Sequence, residues 1–159
     1  MKITICCVGR LKEKFWQMAI EEYSKRLGRY VTFDIIEVAD EKAPEHLSEA
    51  QEEQIRLKEG ERLMKVIRPE AYVIALEITG KTYSSEEFSA LMENCMGKGI
   101  SHICFVIGGS IGLSKEIHQR SNLFISFSKM TFPHQLMRVI LSEQIYRGIK
   151  IMKHEPYHK

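Results

Sequence analysis

The sequence predicts a single α/β domain with a mostly parallel sheet flanked by helices, and two observations carry that expectation. Apolar runs of strand length alternate with longer amphipathic segments along all 159 residues, the order that builds βαβ units. The later runs, 72–78, 102–108 and 123–128, are almost continuously apolar, as strands are when helices cover both faces of a parallel sheet. A chain of this length suits one core, so residues 1–159 are taken as one domain.

Met1 to Gly9 reads as the first strand. Leu11 to Leu27 reads as a helix, with Phe15, Met18 and Ala19 on successive turns and Gly28 as its stop. Tyr30 to Val38 is a second strand, and Ala39 to Leu47 a polar loop containing Pro44. Ser48-Glu49-Ala50-Gln51 has the form of a capping box, in which the first hydroxyl and the last side chain each satisfy an orphan amide; it starts a long helix ending near Ile67, before Pro69. Tyr72 to Ile78 is a third strand. Ser84-Ser85-Glu86-Glu87 is a second capping box, and its helix ends at Gly97. His102 to Gly108 is a fourth strand, 114–120 a short helix, Leu123 to Ser128 a fifth strand, and a last long helix runs from Pro133 or His134 to Met152.

Composition narrows the class. Apolar residues make up 44% and charged residues 28%, the balance of an ordinary globular protein, and the net charge is only +2. Charge is segregated, however. Asp40 to Glu61 holds eight acidic against three basic residues, whereas Phe127 to Lys159 holds six basic against two acidic, which makes the basic third a candidate nucleic-acid-facing region, with a solvated helix face equally open. No apolar run approaches the ~18 residues of a membrane span. The short N-terminal run from Ile3 to Val8 is followed by Arg10, Lys12 and Lys14, unlike a secretory signal. Cys6, Cys7, Cys95 and Cys104 form neither a C-x-x-C pair nor zinc spacing, so they are expected to be small buried hydrophobes in a reducing cytoplasm, with no metal.

Four local features bear on chemistry. In parallel sheets ligands bind beyond the carboxyl ends of the strands, which points to the loops 79–81, 108–112 and 128–133. The run Phe105-Val106-Ile107-Gly108-Gly109-Ser110-Ile111-Gly112 places three glycines just after a buried strand. It matches neither G-x-G-x-x-G nor the phosphate-binding loop, so a structural turn and a ligand site are equally open. Phe127-Ser128-Lys129-Met130-Thr131-Phe132-Pro133-His134-Gln135 leaves a strand and enters a helix, mixing apolar side chains with free backbone amides; a flat heteroaromatic ligand suits such a loop, and so does an ordinary βα connection. In the last helix Met137, Leu141, Ile145, Ile149 and Met152 form a stripe that Leu136, Val139 and Ile140 widen, enough for a core and a partner subunit, or for a core alone. The tail His154-Glu155-Pro156-Tyr157-His158-Lys159 combines groups that can stack on a base, move a proton or hold a phosphate, although chain ends are more often frayed and inert. No Ser/His/Asp set and no H-E-x-x-H occurs, so hydrolysis is disfavoured.

Together and in this order, these features resemble the knotted SPOUT (α/β-knot) methyltransferases, in particular those that methylate a pseudouridine of the large-subunit (23S) rRNA. The resemblance begins at Met1-Lys2-Ile3 and Val8-Gly9-Arg10-Leu11-Lys12. It runs through Asp40-Glu41-Lys42-Ala43-Pro44, Leu76-Glu77 and the glycine segment, is densest from Ser126 to Gln135 with Met137-Arg138, Glu143-Gln144 and Tyr146-Arg147, and closes on Tyr157-His158-Lys159. It implies a C-terminal deep trefoil knot, a cytoplasmic homodimer, and S-adenosylmethionine as methyl donor, held by Leu76, Gly108, Phe127, Ser128, Lys129, Met130, Thr131 and Phe132. It implies N3 of a pseudouridine in the assembled ribosome as acceptor. For that reaction, side-chain chemistry offers His158 or Tyr157 as catalytic groups that accept the imide proton or position the base, and Arg138, Arg147 or Lys159 as RNA ligands that hold phosphate or stabilise developing charge. The family usually carries a polar residue at the position of Ile111, which cannot form a side-chain hydrogen bond. A non-catalytic RNA- or ribosome-binding protein with the same fold and a flavodoxin-like small-molecule binding domain are the alternatives.

Overall fold

The computed structural model describes residues 1–159. Five parallel strands, β1 (Lys2–Val8), β2 (Thr32–Val38), β3 (Tyr72–Thr82), β4 (His102–Ile107) and β5 (Leu123–Ser126), form one sheet in the order β2-β1-β4-β3-β5. Helices α1 (Lys14–Leu27), α2 (Glu49–Val66), α3 (Ser85–Gly97), α4 (Lys115–Arg120) and α5 (His134–Met152) alternate with them. The expected α/β class is thus observed. β4 is buried at every position, and β1 at all but its first, because helices cover both faces. On one face Ile3, Ile5, Ile74 and Phe105 pack against Leu27, Phe88, Met92, Leu141 and Ile145 from α1, α3 and α5. On the other, Cys6, Val73, Cys104 and Val106 pack against Leu63 of α2 and Ile117 of α4. The four cysteines are free and buried in these layers.

Both capping boxes form: Ser48 Oγ accepts the Gln51 amide and Ser84 Oγ the Glu87 amide, with Gln51 and Glu87 reaching back to the cap amides. Elsewhere the structure corrects the sequence-based boundaries. α1 begins at Lys14, not Leu11, because the Leu11 amide donates to Glu37 Oε2 and the Leu11 carbonyl accepts from Gln17 Nε2, both at 2.8 Å. Gly28 ends α1 in a right-handed conformation, so it is not the left-handed stop that its position suggests. β5 ends at Ser126, where Ser126 Oγ turns to donate to the Ser128 carbonyl.

The segment Thr79-Gly80-Lys81, expected as a loop, lies within β3. Leu76 and Lys81 both register with Ile125, so residues 77–80 bulge out and the strand then rejoins β5. Gly80 makes this return possible: a Cβ there would stand 2.6 Å from the carbonyl carbon and 2.7 Å from the amide nitrogen of Ile125, backbone atoms that cannot move aside.

The largest side chain buried without any exposure is Arg138, in the second turn of α5. Its Nη1 donates to Glu37 Oε2 at 2.8 Å; its Nη2 donates to the Val8 and Gly9 carbonyls at 2.7 and 2.9 Å. It therefore ties α5 to the ends of β1 and β2. An arginine in the core cannot also grip RNA, so the RNA-ligand role expected of Arg138 is set aside. Removing one partner of a buried charged network leaves the others unpaired, so Arg138→Met is expected to lower unfolding stability by about 3 kcal/mol. Urea denaturation measures this; a change under ~0.5 kcal/mol would mean that the network carries no net stability.

Candidate donor site

Beyond the carboxyl ends of β3, β4 and β5 lies a cavity of about 760 Å³, within the range of small-molecule sites. Three connections build it: Leu76 to Thr79 from the β3 bulge, Ile107 to Leu113 after β4, and Ser126 to Ser128 with Met130 to Phe132 after β5, together with His134 and Met137 from α5. Leu76, Gly108, Phe127, Ser128, Met130, Thr131 and Phe132, the residues expected to hold the donor, all line it. Lys129 does not, and its side chain is exposed.

The two flanking loops are pinned by their own short-range bonds. After β5, Ser128 Oγ accepts the Met130 amide at 3.0 Å. After β4, the Gly112 amide donates to the Gly109 carbonyl at 3.2 Å, and Gly112 adopts φ +93°, which favours glycine. Gly109 sits directly on the carboxylate of Glu59: a Cβ there would approach the Glu59 oxygens to 2.9 and 3.0 Å. Glu59 projects from α2, is 4% exposed, and accepts the Glu41 amide at 3.3 Å. Burial pushes its carboxyl above the usual range. Sequence reasoning missed Glu59 because it is one of many acids on a polar helix; the available signal was its spacing from Leu63, one turn on along the buried face.

The rim is polar. Glu77 pairs with Nε2 of His118, whose ring stands edge-on to Phe124 with centroids 5.5 Å apart. Arg56 lines the cavity, pairs with Glu53 at 3.1 Å and donates to the Ile111 carbonyl at 3.4 Å. A polar contact is thus made at the backbone of Ile111, where its side chain offers none. His134, at the α5 entrance, is held below the ordinary histidine range by burial and by the adjacent Arg138 cation.

The C-terminal tail is ordered but lies outside this cavity. Tyr157 donates to Glu143 Oε1 at 3.1 Å and packs edge-on to Tyr146, centroids 4.8 Å apart. Arg147 bonds Glu143 at 3.0 and 2.6 Å and lies 4.8 Å from the Tyr157 ring centroid. His158 meets Glu86 through Nε2 at 2.8 Å and Arg147 through Nδ1 at 3.3 Å. Burial, reinforced by the Glu143 charge, pushes the Tyr157 phenol up to about 12, so it is a hydrogen-bond donor at neutral pH rather than a base. Lys159 is exposed. The basic third is therefore less free than its composition suggests: Arg138 is buried, and Arg147 and Lys150 are paired with Glu143 and Glu155.

No helix is long and apolar enough to cross a membrane. Among known families, residues 1–158 match the one described as predicted SPOUT methyltransferase.

Because the folded state holds the Glu59 proton more tightly than the unfolded chain, this group makes stability fall as pH rises from the unfolded carboxylate value of about 4. Glu59→Gln removes that loss while keeping an acceptor for the Glu41 amide. Relative to wild type, the variant should gain stability between pH 4 and 7 in parallel denaturation curves. A relative loss over that interval would show that the charged form is the one favoured.

Proposed function

Because the chain belongs to the SPOUT methyltransferase family, we propose that it transfers a methyl group from S-adenosylmethionine to N3 of a pseudouridine in 23S rRNA of the large ribosomal subunit, in the cytoplasm and as a homodimer. This is the activity of the RlmH class, whose sequence pattern the chain resembles from end to end. The observation that carries the proposal is the gathering of Leu76, Gly108, Phe127, Ser128, Met130, Thr131 and Phe132 from three separate connections onto one cavity.

The cavity suits the donor's mixed chemistry. Leu76, Ile107, Met130 and Phe132 supply apolar cover for a flat base, the pinned loops supply backbone donors and acceptors, and Glu77 offers a carboxylate to a cation or hydroxyl at the rim. When bound, S-adenosylmethionine supplies an electrophilic methyl on a sulfonium and needs no metal. The protein's remaining tasks are to align the acceptor, exclude water and receive the imide proton. His158 is the candidate acceptor. Tyr157, held protonated with its hydroxyl donating to Glu143, is the group to position the base, and Arg147, once released from Glu143, and Lys159 are the candidates to meet phosphate or developing negative charge.

Tail and cavity do not meet within one chain, since no residue from Tyr157 to Lys159 lines the cavity. A homodimer would resolve this by bringing the tail of a second copy to the cavity. α5 offers the surface: Leu136, Val139 and Ile140 are half-buried and belong to neither core layer. The trefoil knot is what membership in the family implies for the path of the chain.

Mass spectrometry of large-subunit rRNA from a deletion strain tests the proposal. One pseudouridine should lack a methyl, wild-type protein should restore it, and His158→Ala should restore it ~10²-fold more slowly, the usual worth of a proton-transfer group. Unchanged rRNA methylation in the deletion strain would overturn the assignment.

A further inference from the structure

We infer that the connection between β1 and α1, together with the first turns of α1, is a docking strip for single-stranded or looped RNA. This rests on the rRNA reading above and names the surface that reading leaves open. Arg10, Lys12 and Lys14 lie within five residues, all are exposed, and none is in an ion pair. Other cations, among them Arg26, Arg56, Arg62, Arg138, Arg147 and Lys150, are instead held by carboxylates. Glu13 is the one acid between Gly9 and Met18.

The strip also presents apolar surface of the kind bases stack on. Phe15 is 59% and Met18 63% exposed, and the Phe15 ring leans on Trp16 with centroids 4.7 Å apart. Cations that follow a backbone, beside an aromatic face that accepts any base, are the recurring composition of single-strand RNA surfaces. A two-fold contact between copies over the same strip would instead bring like charges together.

Rigidity and position complete the inference. The Gly9 amide donates to the Val38 carbonyl at 2.8 Å, Glu37 holds the Leu11 amide, and Arg138 holds the carbonyls of Val8 and Gly9. Three unpaired cations thus ride on a connection anchored to the core, so little ordering entropy is lost when phosphate binds. The strip adjoins the donor cavity: a Cβ on Gly9 would lie 3.6 Å from Nε2 of His134, which lines it.

The test is co-sedimentation of the full-length protein with purified 70S ribosomes across a range of KCl concentrations. Replacing Arg10, Lys12 and Lys14 by alanine should weaken binding and make the slope of log affinity against log salt shallower by about 2, the effect of losing three phosphate contacts. Phe15→Ala should weaken binding about five-fold or more at unchanged slope. Calorimetry with S-adenosylmethionine should give the same affinity in both variants, and their solution mass should match wild type. If wild type binds and the triple variant binds equally with the same slope, the strip is not the RNA surface and the rRNA reading stands. If either variant changes oligomeric state, the strip is a subunit contact and the inference fails. If wild type shows no salt-dependent affinity for ribosomes, both the inference and the rRNA reading fail.

Discussion

The guanidinium of Arg138 is the constraint on which the cavity edge of this protein depends. It has no solvent exposure, and its partners come from the ends of two strands: the Val8 and Gly9 carbonyls and the Glu37 carboxylate. Such a group is tolerated in a core only where hydrogen bonds replace its lost hydration. The bonds of its two terminal nitrogens, which leave only Nε without a partner, fix the first turns of α5 against β1 and β2, and so fix His134 and Met137 at the cavity wall. Its effect extends outward, because the same Glu37 oxygen that receives Arg138 also receives the Leu11 amide. Core, cavity wall and exposed basic connection are thereby one hydrogen-bonded unit.

Close backbone approach is the second requirement of the site. The bulge at 77–80 returns to β5 only because Gly80 has no side chain, and the turn at Gly109 rests on the Glu59 carboxylate for the same reason. Both glycines act by letting other atoms near, one a strand and the other a buried acid. Glu59 is held in its less favoured ionisation environment beneath a loop of the cavity, an arrangement that costs stability and places a polar group under that turn.

Much of this was legible beforehand, for identifiable reasons. Ser48 and Ser84 announced two helix starts because capping boxes satisfy local amides whatever the tertiary context. Near-continuous apolar runs announced buried parallel strands, and strand polarity directed attention to the carboxyl edge, where Leu76, Gly108 and Phe127 line a cavity. What stayed hidden is non-local. Nothing around Arg138 distinguishes a core arginine from a phosphate ligand until β1 and β2 are seen beside it. The return of β3 after residue 80 depends on Ile125 of another strand, and the burial of Glu59 depends on Gly109. The path of a knotted chain is likewise outside anything that periodicity encodes.

The central claim is that the cavity at the carboxyl edge of β3, β4 and β5 is the site of a methyl donor. Calorimetric titration of the intact protein with S-adenosylmethionine and with its demethylated product tests this most directly, with Gly109→Val as the paired variant, since a branched side chain there must displace the Glu59 carboxylate or the turn itself. Saturable binding of both compounds to wild type, lost or strongly weakened in Gly109→Val, is the predicted result. No detectable heat at millimolar donor, or identical affinity in the variant, would contradict it.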